Sequence, residues 1–381
     1  MHYCGPVLQI RALWRTGGGP TLSARNTSLQ PMKRHTTTTG LMPRRRVLIA
    51  GAAAAICSPA GLAQTPPALK RERLRIICSG PAGSVPDTIA RRFGEELTGV
   101  FAQHVVVDNR PGAAGQIAVQ ALKSAPPDGS TWLLGQGALA SLYPTLYEKL
   151  AYEPARDLRP VSLAAEMNLG VAVGPAVPAD VDSMASLVDW MRRNPAAANA
   201  ASPGTGTLPH ILEVMLFDQA GLNWRHVPYP GGPPAMVALL GGQVAVLVLP
   251  EGLLLPHLAQ SERPANAADA AGGRLRMLGT SGQERSRFSQ GVPTLVEQGY
   301  TRSVMREWFA FFLPGGASAG VAEEAAAAVN TVAARAELGR RFEDAAMVAV
   351  PSTPAQLAAK VDDDRRAWVP LLVSAGIRGG A

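Results

Sequence analysis

Apolar residues along this chain follow two rhythms, short unbroken runs and stretches that recur every three or four positions. The run Leu74–Cys78 ("LRIIC") reads as a buried strand. Behind it Ile89, Phe93 and Leu97 recur at a helical spacing and Gly99 closes the helix. "HVVVD" (104–108), a helix around Ile117–Lys123 and "TWLLG" (131–135) repeat that order. A β-α-β-α-β rhythm predicts a doubly wound, parallel sheet. Ser84 and Asp87 read as a capping box for the first helix, with Pro86 inside its opening turn.

A second unit starts after "GVAVG" (170–174). It holds a helix at Met184–Arg193, a short strand near Ala197–Ser202, a helix opened by "PGTGTLPH" (203–210), and the apolar run "GGQVAVLVLP" (241–250). "RLRMLGTS" (274–281) and "WFAFFLPGG" (308–316) predict two further strands, and alanine-rich helix follows, with caps near Thr353 and Pro354. Residues 261–273 read as a surface loop. The division expected is a leader at 1–63, a discontinuous first domain at 64–174 and 280–381, and a second domain at 175–279.

Charge changes the picture at one end. The first 63 residues hold eight of the 36 Lys and Arg residues and no acid; from Gln64 onward 28 basic residues face 29 acidic ones, a formal charge of −1. The body of the chain therefore lacks the basic surplus that nucleic-acid binding needs, and no nucleic-acid partner is expected. "MPRRRVLIAGAAAAICSPAGLAQ" has the basic start, short apolar run and small residues of a cleaved export signal, ending before Gln64. Arg44-Arg45-Arg46 leaves Sec and twin-arginine export both open. Met32 or Met42 is an alternative start, and Ile56 is a poor residue before a lipidated Cys57. Loss of the leader leaves Cys78 as the single cysteine, a core thiol without a disulfide partner.

Candidate chemistry centres on two loops of one build, "SGPAGSVPD" (79–87) and "SPGTGTLPH" (202–210). Each follows a buried strand and opens a helix, whose first N–H groups and dipole suit a carboxylate or phosphate. Glycine permits close backbone approach, and Ser84, Thr205 and Thr207 add hydroxyls. Either loop alone reads as a helix cap; two in separate halves favour binding. No metal cluster, nucleotide fingerprint or nucleophile elbow is present, so no cofactor is expected. His210 stands in a first helical turn, Glu213 reads as support for that helix start, and Trp308 and Phe309 as core residues able to line a cleft.

Three stretches, "VVDNRPGAAGQIAVQALKSAPPDGSTWLLG", "HVPYPGGPPAMVALLGGQVAVLV" and "GVPTLVEQGY…EWFAFFLPGG", resemble the Bug-type periplasmic solute-binding proteins of tripartite tricarboxylate transporters. The resemblance runs from about Leu74 to Gly376. It implies a type II periplasmic-binding fold, with two doubly wound α/β domains, a hinge crossed twice and a small organic anion closed between them. It also implies a non-enzymatic, monomeric periplasmic receptor working with membrane transporter subunits. Its ligand contacts fall on Ser79, Ala82, Gly83, Ser84, Asp87 and Gln136 in the first half, and on Ser202, Gly204, Thr205, Gly206, Thr207 and His210 in the second. The chain departs from the family pattern at Ala82, Ser84, Val85 and Pro86, which stiffen the first loop, and at Ala245 and Leu249, where acids are usual. These departures point to an anion without a positive centre. Two alternatives stay open: an exported hydrolase using Ser84 and His210, and a ligand-loaded partner of a membrane sensor.

Overall fold

A computed structural model describes residues 71–261, 275–374 and 376. The leader, the cleavage site before Gln64, Cys57 and most of the loop expected at 261–273 lie outside the described residues. Ten strands run in chain order: β1 Arg71–Cys78, β2 Ala102–Asn109, β3 Thr131–Gln136, β4 Leu158–Val173, β5 Asn199–Ser202, β6 Arg225–Pro228, β7 Val246–Pro250, β8 Arg276–Thr280, β9 Arg306–Pro314 and β10 Val348–Ala349. Among the described residues twelve α-helices lie between and after them. They are α1 Val85–Leu97, α2 Gln116–Lys123, α3 Ala138–Ser141, α4 Tyr143–Leu146, α5 Pro154–Asp157, α6 Met184–Arg193, α7 Leu208–Gln219, α8 Gly232–Leu240, α9 Glu251–Ser261, α10 Ala319–Ala333, α11 Ala336–Glu343 and α12 Pro354–Ser374.

The strands are ordered β2-β1-β3-β9-β4-β7-β5-β6, with β8 and β10 also on β4. β1 is parallel to β2 and β3, and β5 is parallel to β6 and β7, as right-handed βαβ crossovers require. The sheet is mixed rather than wholly parallel, because β9 and β4 run antiparallel to their neighbours. β4 joins the two halves. Its first part, Leu158–Asn168, pairs with β9, and its last part, Leu169–Val173, pairs with β7 and β8. The chain passes between the halves twice, along β4 and between β8 and β9. Buried Ser281 ties the two passages together, accepting the Leu169 N–H at 2.9 Å and donating to the Met305 carbonyl at 2.7 Å.

β4 is absent from the strands that the sequence predicts, which mark only the start of a second unit after "GVAVG" (170–174). Arg159, Pro160, Glu166 and Asn168 break its apolar pattern, and its register against β9 slips near Pro160 and Leu163, as bulges allow. Strand alternation elsewhere places Leu74, Ile76 and Cys78 with the α1 side of the core, where Phe93 meets Phe311 edge-on at 5.1 Å. Ile77, Leu133, Trp308 and Phe312 fill the other face. Cys78 is a free, fully buried thiol whose pKa burial pushes up to about 12.

The capping box at α1 does not form. Ser84 occupies the N-cap position, but its hydroxyl donates to the Pro81 carbonyl at 2.6 Å inside the turn. Asp87 reaches past it to the Gly83 N–H at 2.9 Å. A tight proline-led turn thus takes the hydroxyl that would otherwise serve the helix.

Candidate functional site

Both small-residue loops open into one cavity of about 710 Å³, at the carboxyl ends of β1, β3 and β5, where open α/β sheets place ligands. Ser79, Ser84, Gln136, Gly204, Thr205 and Thr207 line it. Ala82, Gly83, Asp87, Ser202, Gly206 and His210 are absent from its lining and stand behind or beside the loops. The halves touch across the cavity. Tyr147 Oη donates to the Thr205 carbonyl at 2.7 Å. Gly231, at φ +114, packs so closely on Pro81 that a Cβ there would stand 2.8 Å from the proline ring.

The first loop is braced by charge. Asp87 accepts from Gly83 N–H, from Arg91 Nε at 3.0 Å and from Asn109 Nδ2 at 2.9 Å, and the same Asn109 amide donates to the Gly80 carbonyl. Burial would raise the Asp87 pKa, but Arg91, Gly83 and Asn109 together hold it below the ordinary carboxylate range. Deeper in, Ser79 Oγ donates to Gln136 Oε1, and Gln136 Nε2 donates to the Ala114 carbonyl. Among the described residues the Gly80 and Val85 N–H groups have no acceptor, and both residues face the cavity.

The second loop is braced by neutral groups. The Gly206 N–H donates to His210 Nδ1 at 3.1 Å, which requires an unprotonated Nδ1. His210 stacks on His226 at 3.8 Å between centroids, and His226 Nε2 shares a 2.8 Å hydrogen bond with Ser202 Oγ. Burial, with the neighbouring His226 second, pushes His210 down to about 3; burial alone brings His226 down to about 4. Glu213 does not serve the helix start. Its side chain is fully buried 3.8 Å from His226 Nε2, and neither oxygen meets a donor at hydrogen-bonding geometry among the described residues. Burial drives its pKa well up, offset only in part by the Val248 N–H. Thr207 Oγ1 donates to the Gly204 carbonyl, while the N–H of the cavity-lining Thr205 has no acceptor among the described residues.

Neither histidine reaches Ser84. Its hydroxyl is spent on Pro81, His210 is spent on Gly206, and no hydrogen bond joins the two. His226 offers one nitrogen, Nε2, to both Ser202 and Glu213, whereas a catalytic triad needs the acid on the opposite nitrogen. Among the described residues no group of three or more His, Cys, Asp or Glu is placed to hold a metal ion.

Sequence reasoning missed part of the lining: Ala113 and Ala114, Tyr147, Lys149, Tyr229 and Glu307. Positive φ at Gly112, Gly115 and Gly231 accords with the Pro-Gly pairs of "RPGAAG" and "YPGGPP", of which Pro111-Gly112 is a turn signal in the sequence. Phe309 lines the cavity, whereas Trp308 faces away and donates to Asp364 Oδ2.

The model of the tripartite tricarboxylate transporter family receptor matches residues 89–376. A UPF0065 protein of Bordetella bronchiseptica is 32% identical over 253 residues, covering 66% of this chain and 70% of that protein. Protein BugT of Bordetella pertussis is 28% identical over 306 residues, 80% of this chain and 90% of that one. Among solved structures, MatC from Rhodopseudomonas palustris with bound malate aligns at TM-score 0.71 and 23% identity, over 79% of this chain and 99% of its own. An R. palustris protein with adipate aligns at 0.73 and 22%, over 81% and 99%. Periplasmic binding protein BugD shares the fold at TM-score 0.71. With two strand-to-helix loops facing one cleft, a twice-crossed hinge and a matching family model, this chain belongs to the tripartite tricarboxylate transporter receptor family, the Bug-type solute-binding proteins.

Proposed function

We propose that the exported, mature protein captures one small organic carboxylate in this cleft, as a monomer and without turnover, and presents it to tripartite tricarboxylate-type transporter subunits. The observation that carries this reading is that Gly80, Val85 and Thr205, whose N–H groups have no acceptor among the described residues, line one cavity from opposite halves of the sheet. Two α-helix N-termini, of α1 and α7, open from the same loops and favour negative charge there. The acids held by the malate and adipate neighbours are of the same class. The two lobes are residues 64–174 with 280–381, and residues 175–279, with the Ser281 tie as the hinge point.

The test is a thermal-shift screen of the mature protein against mono-, di- and tricarboxylates, with neutral sugars and amines as controls. A bound acid raises Tm in proportion to its occupancy. Shifts confined to non-acids, or hydrolysis of esters or amides lost on Ser84→Ala, would overturn the reading. N-terminal sequencing of periplasmic material is expected to begin at or near Gln64.

A further inference from the structure

One acid in the cavity wall is unexplained by the two loops. Glu307, the second residue of β9, pairs across the sheet with Met167 and lies on the same strand face as Phe309, which pairs with Gln136 at the end of β3. Glu307 lines the cavity, yet it is only 5% exposed. Among the described residues no hydrogen bond or ion pair reaches its carboxyl group. The other charged residues lining the cavity are Glu148 and Lys149.

Among the described residues no cation pairs with Glu307. Asp364, on α12, is occupied by Trp308 Nε1 and Lys360 Nζ, each at 2.6 Å. Tyr143, on α4, is fully buried, and its hydroxyl donates to the Ala114 carbonyl. Arg306, the neighbour on β9, turns to Glu166 at 3.8 Å. A carboxyl group removed from water beside another acid is stable as the neutral acid, and a neutral acid carries one O–H to donate. Burial, with Asp364 adding to it, pushes the Glu307 pKa up to about 8.

We infer that Glu307 is a specificity-determining residue, donating its O–H to a second oxygen acceptor on the ligand and so selecting acids with two oxygen-bearing ends. This rests on the carboxylate reading of the cleft and deepens it. The loops hold one carboxylate through backbone N–H groups, and Glu307 supplies a directional donor at a separate point of the same cavity. The bond to a second carboxylate is charge-assisted, O–H to O⁻, and so among the stronger kinds. A ligand ending in a methyl group leaves that donor buried and unmet. A ligand ending in an ammonium needs the ionised form, which the site disfavours.

Calorimetric titration with matched pairs, succinate against butyrate and adipate against hexanoate, tests this in the mature protein, Glu307→Gln and Glu307→Leu. At about pH 6 the wild type is expected to prefer the better-fitting dicarboxylate to its partner by about tenfold or more. At about pH 9 that preference shrinks, because the ionised acid repels the second carboxylate. Glu307→Gln, whose amide still donates, keeps the preference at both pH values. Glu307→Leu loses it at both while retaining monocarboxylate binding, which shows the loops intact. Full preference in Glu307→Leu, or tighter binding of 4-aminobutyrate than of succinate by the wild type, overturns the role of Glu307 alone. Equal binding within both pairs by the wild type does the same. No binding of any of the four acids overturns this role and the carboxylate reading together.

Discussion

The two cavity-facing loops share a build and differ in what holds them. Around the first, a carboxylate, a guanidinium and an amide lock Gly80 and Gly83 in place through Asp87. Around the second, two stacked imidazoles and a serine lock Gly204 and Gly206, with a buried acid close by. One brace works because its members are charged and the other because its members are not. Backbone amides are delivered to the cavity either way, so the common function constrains where the loop lies and leaves the chemistry of its support free.

Acid should separate the two braces, and with the largest effect. His210 and His226 have folded-state pKa values of about 3 and about 4, against about 6.5 for a free imidazole. Depressed values mean that the stability they contribute is present above pH 6.5 and is lost as pH falls towards 3. At pH 4 the loss is on the order of 3 kcal/mol for each histidine. Protonation of His210 Nδ1 also removes the acceptor for Gly206 N–H, so the second loop loosens. Asp87 is depressed as well, but from the lower starting point of a carboxylate, so the first loop holds until pH drops further. Hydrogen exchange read at both loops from pH 7 to pH 4 is expected to rise first around Gly206. His210→Gln keeps an acceptor and does not titrate, and should flatten that part of the denaturation profile. Simultaneous loosening of both loops would erase the distinction.

Removing the first brace tests the other side of the comparison. Asp87→Ala leaves the Gly83 N–H without its acceptor, removes one of the two acceptors of the Asn109 amide and frees Arg91. The loss in chemical denaturation should be about 2–3 kcal/mol, the cost of hydrogen bonds to a buried charged group. Arg91 itself is half exposed and is re-solvated by water, so Arg91→Ala should cost less, about 1 kcal/mol. If Arg91→Ala proves as costly as Asp87→Ala, the ion pair dominates and not the grip on the backbone.

How much of this was legible in the sequence depended on range. The loops announced themselves because Ser, Gly and Pro punctuate the junction between an apolar strand and a helix, and such local chemistry is written in consecutive letters. The Met184–Arg193 helix was legible for the same reason; its Ser183 cap and amphipathic face are contiguous. His226 gave no signal, since only the pairing of β6 with β5 carries it to Ser202 and over His210. Glu307 stood in plain view as the one acid beside "WFAFFLP", yet its lack of a partner is a property of three dimensions. The direction of Gly206 was equally hidden. A glycine there reads as room for a ligand, but its φ is +78 and a Cβ would meet Tyr147 Oη and Leu146 Cδ1 at 3.2 and 3.3 Å, inside the contact between the loop and Tyr147.

That orientation sharpens the smallest expected effects, which lie within the second loop. Thr207 and Thr205 sit two residues apart and both face the cavity, but only Thr207 is bonded internally, its Oγ1 donating to the Gly204 carbonyl at 2.7 Å. Neither caps α7 through its side chain. Thr207→Ala should therefore cost about 1 kcal/mol of stability, the net worth of one neutral hydrogen bond. Thr205→Ala removes a hydroxyl with no acceptor among the described residues, so stability should hold while affinity for a bound carboxylate falls by about tenfold or more. Gly206→Val strains a left-handed backbone and presses on Tyr147, whose hydroxyl holds the Thr205 carbonyl. It should lose stability first and affinity only as a consequence. Paired calorimetry and denaturation of the three variants read both quantities. Unchanged affinity in Thr205→Ala would leave the second loop contributing position and backbone alone, with the first loop and Glu307 as the side-chain contacts that choose the acid.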